Sequence, residues 1–259
     1  MLKILFLGDV VSSEGVNYLS SGGRLRKLRD RLGADFVVVN GENSADGNGI
    51  TPESASRIYD SGADVITGGN HTWRRKEINR FLDDEDYIIR PLNYPDEASG
   101  MGYVIKNVGG VRVMVMNAAG NVYLEPVTPP AEAVDRVLNK EQGRYDIAVC
   151  DLHAEATAEQ LFFARYFDGR ISVIVGTHTH VQTADEQILP GGTGYITDLG
   201  MCGSMNGILG VRTDCIIHKF TVRTPVKFEP ATGNVHLNGA LFRVDEKTGK
   251  CVSAERITE

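Results

Sequence analysis

The sequence predicts an α/β fold, because short apolar runs alternate with helical stretches over most of its first 180 residues. Of its 259 residues, 42% are hydrophobic and 24% are charged, which is ordinary globular composition and excludes disorder, collagen and coiled coil. The apolar runs also end in polar residues, as parallel strands do when they deliver side chains to one edge of a sheet. We expect a single domain over residues 1–259.

The first third of the chain alternates strictly between strand and helix. The predicted elements are a strand at 3–10, a helix at 13–32, a strand at 34–43, a helix at 51–62, a strand at 63–71 and a helix at 74–84. Thr51 is placed to cap its helix, and Pro52 stands at the first helical position, where a missing N–H costs nothing.

The rest of the chain begins with the same alternation and then changes texture. A hairpin over 101–120 turns at Gly109 and Gly110, and it is followed by a helix at 129–143, a strand at 145–153, a helix at 158–167 and a strand at 169–180. From about residue 187 the segments become short strands with Gly and Pro turns, including CIIHKFTVRT (215–224). We expect this last third to add antiparallel strands to the sheets.

Charge and cysteine usage narrow the classes of partner. Lys and Arg number 27 against 34 Asp and Glu, a net charge of −7, so a broad nucleic-acid-binding surface is not favoured. The four cysteines form no CxxC pair, which indicates reduced structural thiols. No apolar run is long enough to span a membrane, and Asp9 ends the N-terminal run too early for a signal peptide. We expect a cytoplasmic protein.

Carboxylate, carboxamide and imidazole side chains stand at the ends of five of the predicted strands. These residues are Asp9, Glu42, Asn43, Asn70, His71, His153, His178 and His180. Their oxygens and ring nitrogens suit manganese, iron or zinc, and the lack of a cysteine cluster argues against iron–sulfur or structural zinc sites. All but His71 are counted as candidate ligands, and seven ligands exceed what one tetrahedral ion needs. The pattern therefore predicts two ions about 3.5–4 Å apart, as in binuclear hydrolases.

Each of these residues also has an ordinary structural interpretation when it is taken alone. Asp9 could cap a turn or a helix, Glu42 could be a solvated loop charge, and His153 could be a core histidine. His178 and His180 are a stronger pair, because residues two apart on an extended segment point to the same side. The joint occurrence at strand ends of one alternating chain is what favours the metal site.

Several motifs together resemble the calcineurin-like metallophosphoesterase superfamily, and most closely its YmdB-like branch. The matching segments cover nearly the whole chain: LGDVV, VVNGENSADGNG, ITGGNHTW, IIRPLNYP, DLHAEATAE, VGTHTHVQTAD, GYITDLGM and GILG. The resemblance implies a four-layer α/β/β/α sandwich, with two mixed sheets flanked by helices. It also implies a metal-dependent phosphodiesterase whose substrates are small molecules, namely 2′,3′- or 3′,5′-cyclic nucleotides. A homo-oligomer is compatible with the resemblance.

The resemblance also implies a role for each site residue. One ion would be held by Asp9, Asn43 and His180, and the other by Asn70, His153 and His178, with Glu42 bridging them. The ions would be iron or manganese, with zinc as a further option. A hydroxide bridging the metals would attack phosphorus in line, and His71 would protonate the departing ribose oxygen, since an imidazole can give up and recover a proton near neutral pH.

Two positions depart from the wider superfamily. Val11 stands where a histidine ligand is usual, and Thr72 stands where an acidic residue usually follows the motif histidine, so nothing adjacent orients His71. Two other functions stay open: a metal-dependent phosphodiesterase acting on RNA or other nucleic acid, and a metal-binding regulatory protein with little turnover. The sole tryptophan, Trp73, could stack a nucleobase, although core packing is the commoner use.

Overall fold

In the computed structural model, which describes residues 1–259, two large mixed sheets pack face to face between two layers of helix. The strands are β1 (Leu2–Leu7), β2 (Asp9–Val10), β3 (Phe36–Asn40), β4 (Val65–Thr67), β5 (Tyr103–Val108), β6 (Val111–Ala119), β7 (Ile147–His153), β8 (Val173–Thr177), β9 (Gln187–Ile188), β10 (Gly194–Ile196), β11 (Met201–Ser204), β12 (Val235–His236), β13 (Asn238–Val244) and β14 (Cys251–Thr258). The helices are α1 (Ser12–Ser20), α2 (Arg24–Leu32), α3 (Pro52–Asp60), α4 (Ile78–Asp84), α5 (Pro130–Lys140), α6 (Thr157–Tyr166) and α7 (Thr213–Thr221).

Parallel strands form the centre of both large sheets. The first has the order β14-β13-β1-β3-β4, in which β1, β3 and β4 are parallel and β13 and β14 run antiparallel. The second has the order β5-β6-β7-β8-β10-β9, in which only β5 and β9 run antiparallel to their neighbours. A small third sheet has the order β12-β11-β2, and its strand β2 begins at Asp9. The predicted antiparallel C-terminal strands are thus present as β13 and β14.

Three apolar cores separate four layers, and the side-chain alternation of β1 shows why. Leu5 and Leu7 face α1 to α4 in the first core, whereas Ile4 and Phe6 face the second sheet in the central core. Successive strand side chains point to opposite faces, so a strand buried on both sides is an almost continuous apolar run. On the far face of the second sheet, α5 and α6 cover the third core. The four-layer sandwich that the resemblance implied is confirmed.

The five helical predictions are correct in type but differ at their ends. The long helix predicted at 13–32 is two helices, because Gly22 and Gly23 adopt left-handed φ values of 62° and 65° between α1 and α2. The helix predicted from residue 74 begins at Ile78, after a 3₁₀ turn at Thr72–Arg74. Thr51 does cap α3, accepting the Ser54 N–H at 3.1 Å.

The strand predicted at 215–224 is wrong, because α7 occupies most of this segment. Its β-branched and aromatic residues favour strands, but that preference depends on neighbouring strands to pair with. In α7 only Cys215 is buried, while Ile217 and Phe220 are exposed. The backbone hydrogen bonds are satisfied within the helix instead. His218, predicted on a strand, therefore lies on α7.

The carboxyl ends of β3, β4, β7 and β8 meet at one edge of the sandwich, and most of the candidate metal ligands lie at or just after these ends. The parallel pairing β3–β4 and β7–β8 brings these ends side by side within each sheet. None of the helices is long and apolar enough to cross a bilayer.

Candidate metal centre

All eight residues predicted for the site lie together at this edge. Asp9 is supplied by β2, Glu42 and Asn43 by the turn after β3, and Asn70 and His71 by the turn after β4. The second sheet supplies His153, the last residue of β7, and the turn after β8 supplies His178 and His180. The site is therefore a junction between the two sheets.

The carboxylate of Glu42 joins the two halves of the site. Its Oε1 lies 3.1 Å from His153 Nε2 and 3.3 Å from His71 Nδ1, and its Oε2 accepts the His71 backbone N–H at 2.9 Å. Glu42 is fully buried. Burial opposes its ionisation, but the facing imidazole of His153 outweighs this and holds the pKa of Glu42 well below its usual range. A buried carboxylate that stays ionised is suited to bridge cations.

Three lone-pair atoms crowd around Nε2 of His153. Glu42 Oε1 and Asn70 Oδ1 each lie 3.1 Å away, and His178 Nδ1 lies 3.0 Å away. One proton on the ring nitrogen could satisfy only one of them, whereas a bound cation would satisfy all four atoms. These residues therefore fit a metal ion.

The second nitrogen of each imidazole is held by a different partner. His153 Nδ1 lies 2.8 Å from Thr177 Oγ1, His178 Nε2 lies 3.0 Å from a carboxylate oxygen of Glu155, and His180 Nδ1 lies 3.1 Å from the Leu209 carbonyl oxygen. A carbonyl or carboxylate can only accept, so in His178 and His180 the other nitrogen is left free to bind a metal. Sequence reasoning missed Thr177, Glu155 and Leu209, because each contacts an imidazole far from it along the chain, and Leu209 does so through its backbone carbonyl.

Asp9 and His180 form the other half of the site. Oδ2 of Asp9 accepts the His178 backbone N–H at 3.1 Å, but its buried Oδ1 has no hydrogen-bond partner and lies 3.7 Å from His180 Nε2. Burying an unpaired carboxylate oxygen is costly, and a cation between Asp9 and His180 would remove that cost. Asn43 is adjacent, but its Nδ2 rather than its Oδ1 faces His180, at 3.2 Å. Metal binding by Asn43 requires its amide to turn over.

Burial and neighbouring charges shift the pKa values of three site residues away from their usual ranges. Burial raises the pKa of Asp9 to about 7, although His153 opposes the rise. Burial and the neighbouring His153 lower the pKa of His178 to about 3. Burial would lower the pKa of His153, yet the charge of Glu42 raises it to about 9. Three neighbours are thus shifted in different directions, which is typical of a functional site.

Backbone geometry positions the 178–180 turn. His178 and His180 have φ values of 105° and 64°, in the region that side-chain-bearing residues rarely adopt. Between them, the backbone N–H and hydroxyl of Thr179 donate to Asp198 at 3.0 and 2.9 Å. Asp198 therefore stabilises the strained turn that carries two imidazoles.

Gly69 leaves room for the centre. A Cβ built on it would lie 2.2 Å from Glu42 Oε2 and 2.5 Å from His153 Nε2. No other residue could stand there without displacing both side chains.

His71 is oriented by its own site rather than by a neighbour in sequence. Its Nδ1 lies 3.1 Å from Asn43 Oδ1, in addition to its contacts with Glu42, and its side chain is 19% exposed. Thr72, which stands at the usual acidic position, instead holds the Gly69 turn through its hydroxyl. The partner missing from the sequence motif is thus replaced from the turn after β3.

Trp73 does not present a free face to the site. Its Nε1 donates to the Ser99 carbonyl oxygen at 3.2 Å, its ring packs against the first core, and it contacts the Tyr94 ring at 4.8 Å between centroids. These contacts favour a packing role for Trp73.

Comparisons with known proteins give matches over nearly the whole chain. The family model described as YmdB-like protein matches residues 5–257. The chain is 43% identical over 256 residues to a Bacillus subtilis protein named 2′,3′-cyclic-nucleotide 2′-phosphodiesterase, covering 99% of this chain and 96% of that protein.

Solved structures show the same fold. The crystal structure of a novel phosphatase from Mycoplasma pneumoniae superposes with a TM-score of 0.92 at 33% identity, covering 100% of this chain and 93% of that one. A Staphylococcus aureus protein named as a candidate 5′-nucleotidase superposes with a TM-score of 0.57 at 15% identity, over 98% of this chain and 54% of that one. The likeness to the latter concerns the fold alone.

Proposed function

The chain belongs to the YmdB-like protein family, and from this premise we propose that it is a metal-dependent phosphodiesterase that hydrolyses 2′,3′-cyclic nucleotides. The observation that carries the proposal is the set of lone-pair atoms around His153 Nε2, which are arranged for cations and lie at the meeting edge of two sheets. The name of the Bacillus subtilis relative supports the substrate class.

The contacts support two groups of ligands around a shared carboxylate. Asn70, His153 and His178 form one group, and Asp9, Asn43 and His180 form the other. Glu42 lies between them, in contact with both His153 and Asn43. Nitrogen and oxygen donors of this kind suit iron or manganese, with zinc as a further option.

Two bound ions would supply Lewis acidity toward the phosphate and lower the pKa of a water molecule. The protein side chains would hold the ions and supply a proton. Asn70, His153, His178, Asp9, Asn43, His180 and Glu42 would hold the ions in fixed positions, because these residues come from sheets that pack together. His71 then donates a proton to the leaving ribose oxygen: its Nδ1 is occupied by Asn43 and Glu42, which leaves Nε2 as the free ring nitrogen.

Release of one ribose oxygen from a 2′,3′-cyclic phosphate opens the ring and leaves a nucleoside monophosphate. The relative is named for cleavage on the 2′ side, which would leave the phosphate on the 3′ oxygen. Hydrolysis of 3′,5′-cyclic nucleotides by the same residues is a second substrate option for this site.

The test is an assay of manganese-loaded and iron-loaded protein against 2′,3′-cAMP, 3′,5′-cAMP, bis-p-nitrophenyl phosphate and a short RNA. We expect turnover of 2′,3′-cAMP and loss of that turnover after chelation. Turnover of RNA alone would favour a nuclease, and tight metal binding without hydrolysis of any substrate would favour a regulatory protein. Either result would overturn the proposal.

A further inference from the structure

A second buried carboxylate, Asp151, lies behind the metal centre and takes no part in the chemistry proposed above. It is two residues before His153 on β7 and is 1% exposed. Three side chains converge on it: Thr177 Oγ1 lies 2.7 Å from its Oδ1, while Asn40 Nδ2 at 2.9 Å and the Thr67 hydroxyl contact its Oδ2. These partners come from β3, β4 and β8, so Asp151 ties both sheets together at the site.

The direction of each hydrogen bond in this network can be deduced. A carboxylate only accepts, so the single hydroxyl proton of Thr177 is donated to Asp151. The Thr177 oxygen is then an acceptor toward His153 Nδ1, at 2.8 Å. When the ring carries a single proton, as metal binding requires, that proton lies on Nδ1 of His153, which leaves Nε2 bare and facing Glu42, Asn70 and His178.

We propose that Asp151 and Thr177 are positioning residues that fix the tautomer of His153 and so make its Nε2 available as a metal ligand. This inference rests on the proposed function, since it assigns Nε2 to a metal. The chain Asp151–Thr177–His153 is buried at every member, so no water competes for its protons. Partners of this kind typically change metal affinity by about 10- to 100-fold.

Asp151 is also linked to Glu42, through the side chain of Asn40. Asn40 donates from Nδ2 to Asp151 and to the Gly68 carbonyl oxygen, and its Oδ1 accepts the Glu42 backbone N–H at 3.1 Å. The amide of Asn40 is therefore held in one orientation. Asp151 thus supports the turn that carries Glu42 as well as the ring of His153.

The test reverses the donor and acceptor roles in this hydrogen-bonded chain. In Asp151→Asn the new amide nitrogen can occupy the Oδ1 position and donate to Thr177, because the Oδ2 position receives two donors. The Thr177 hydroxyl then turns toward His153 Nδ1, and the ring proton moves to Nε2. We expect this isosteric change to weaken binding of one manganese or zinc ion about 10- to 100-fold in titration calorimetry, and metal analysis to approach one ion per chain.

Thr177→Val removes the hydroxyl and is expected to lose the same ion, whereas Thr177→Ser keeps the hydroxyl and is expected to restore binding to within a few-fold of wild type. Thr193→Val is the matched control: Thr193 is equally buried, and its hydroxyl donates to the Ile171 carbonyl oxygen at 2.6 Å, outside the site. It is expected to lower stability while two ions still bind. Circular dichroism melts identify any variant that fails to fold.

NMR of zinc-loaded protein with ¹⁵N-labelled histidine reads the tautomer directly, with the proton on Nδ1 of His153 in the wild type. Wild-type metal affinity in Asp151→Asn, or equal loss in Thr177→Ser and Thr177→Val, would overturn this inference while leaving the proposed function intact. A wild-type chain that binds no metal would overturn both.

Discussion

Oε1 of Glu42 lies 3.1 Å from Nε2 of His153, although the two residues are supplied by different sheets. Glu42 follows β3 in the first sheet, and His153 ends β7 in the second. The contact exists only because the two sheets pack face to face with their strand ends aligned. The candidate centre therefore depends on the central core between the sheets as much as on its own side chains.

Replacing Glu42 by glutamine keeps its shape and removes the shared charge. We expect Glu42→Gln to lower kcat/KM for 2′,3′-cAMP by at least about 100-fold, because a neutral amide cannot balance two cations. Metal analysis should also show less than two ions per chain. Undiminished turnover with a full metal complement would contradict a bridging role for Glu42.

Replacing His71 by alanine separates proton donation from metal binding. We expect His71→Ala to lower kcat by about 100- to 10,000-fold while metal content stays at the wild-type value. A substrate with a p-nitrophenolate leaving group needs less protonation, so bis-p-nitrophenyl phosphate should lose less activity than 2′,3′-cAMP. If metal content falls with activity, His71 is a ligand instead of a proton donor.

Replacing Gly69 by alanine fills the space beside the centre. The new Cβ would come within 2.2 Å of Glu42 Oε2, so we expect Gly69→Ala to lose metal binding and turnover together. Gly110→Ala is the control, because this hairpin glycine has a φ of 96° and nothing within 4 Å of its Cβ position. It should lower the melting temperature but bind two ions. Normal calorimetric titration of Gly69→Ala would show that the centre tolerates displacement of Glu42.

The raised pKa of Asp9 predicts that its contribution to the stability of the metal-free protein falls as the pH rises. Its folded value of about 7 exceeds the ordinary 3.8, so the folded chain holds this proton more tightly than the unfolded chain. The contribution of Asp9 to stability is therefore fully present below pH 3.8 and is lost as the pH rises through about 7. Asp9→Asn removes this loss, so the variant should gain more stability at pH 8 than at pH 5.

The size of the gain follows from the unpaired Oδ1 of Asp9. Removing a buried unsatisfied group is worth about 1–3 kcal/mol, and each 1 kcal/mol shifts the melting temperature of a chain of this size by about 2–4 °C. Thermal melts in EDTA at both pH values measure it. With manganese added, the order should reverse, because the wild type can bind two ions whereas the variant lacks a ligand of one of them. A lower melting temperature for Asp9→Asn in EDTA at pH 8 would contradict this account.

Much of the fold and the site could be predicted from local sequence patterns. Strands such as β1 and β7 are largely apolar, and polar residues stand at or just after their carboxyl ends, so both the strands and these ends can be recognised along the chain. The segment 215–224 could not be assigned in this way, since its β-branched residues form α7, where helical hydrogen bonds replace a neighbouring strand. Trp73 was equally ambiguous until its contacts with Ser99 and Tyr94 were known.

The sequence by itself determined which side chains reach the edge of the sheets, because strand periodicity and strand ends are properties of neighbouring residues. Only the tertiary structure decided how those side chains face one another. The contact of Glu42 with His153 and the chain from Asp151 through Thr177 to the His153 ring join residues from separate strands. Their geometry comes from sheet pairing and core packing, which act between segments far apart along the chain and leave no local periodicity in the sequence.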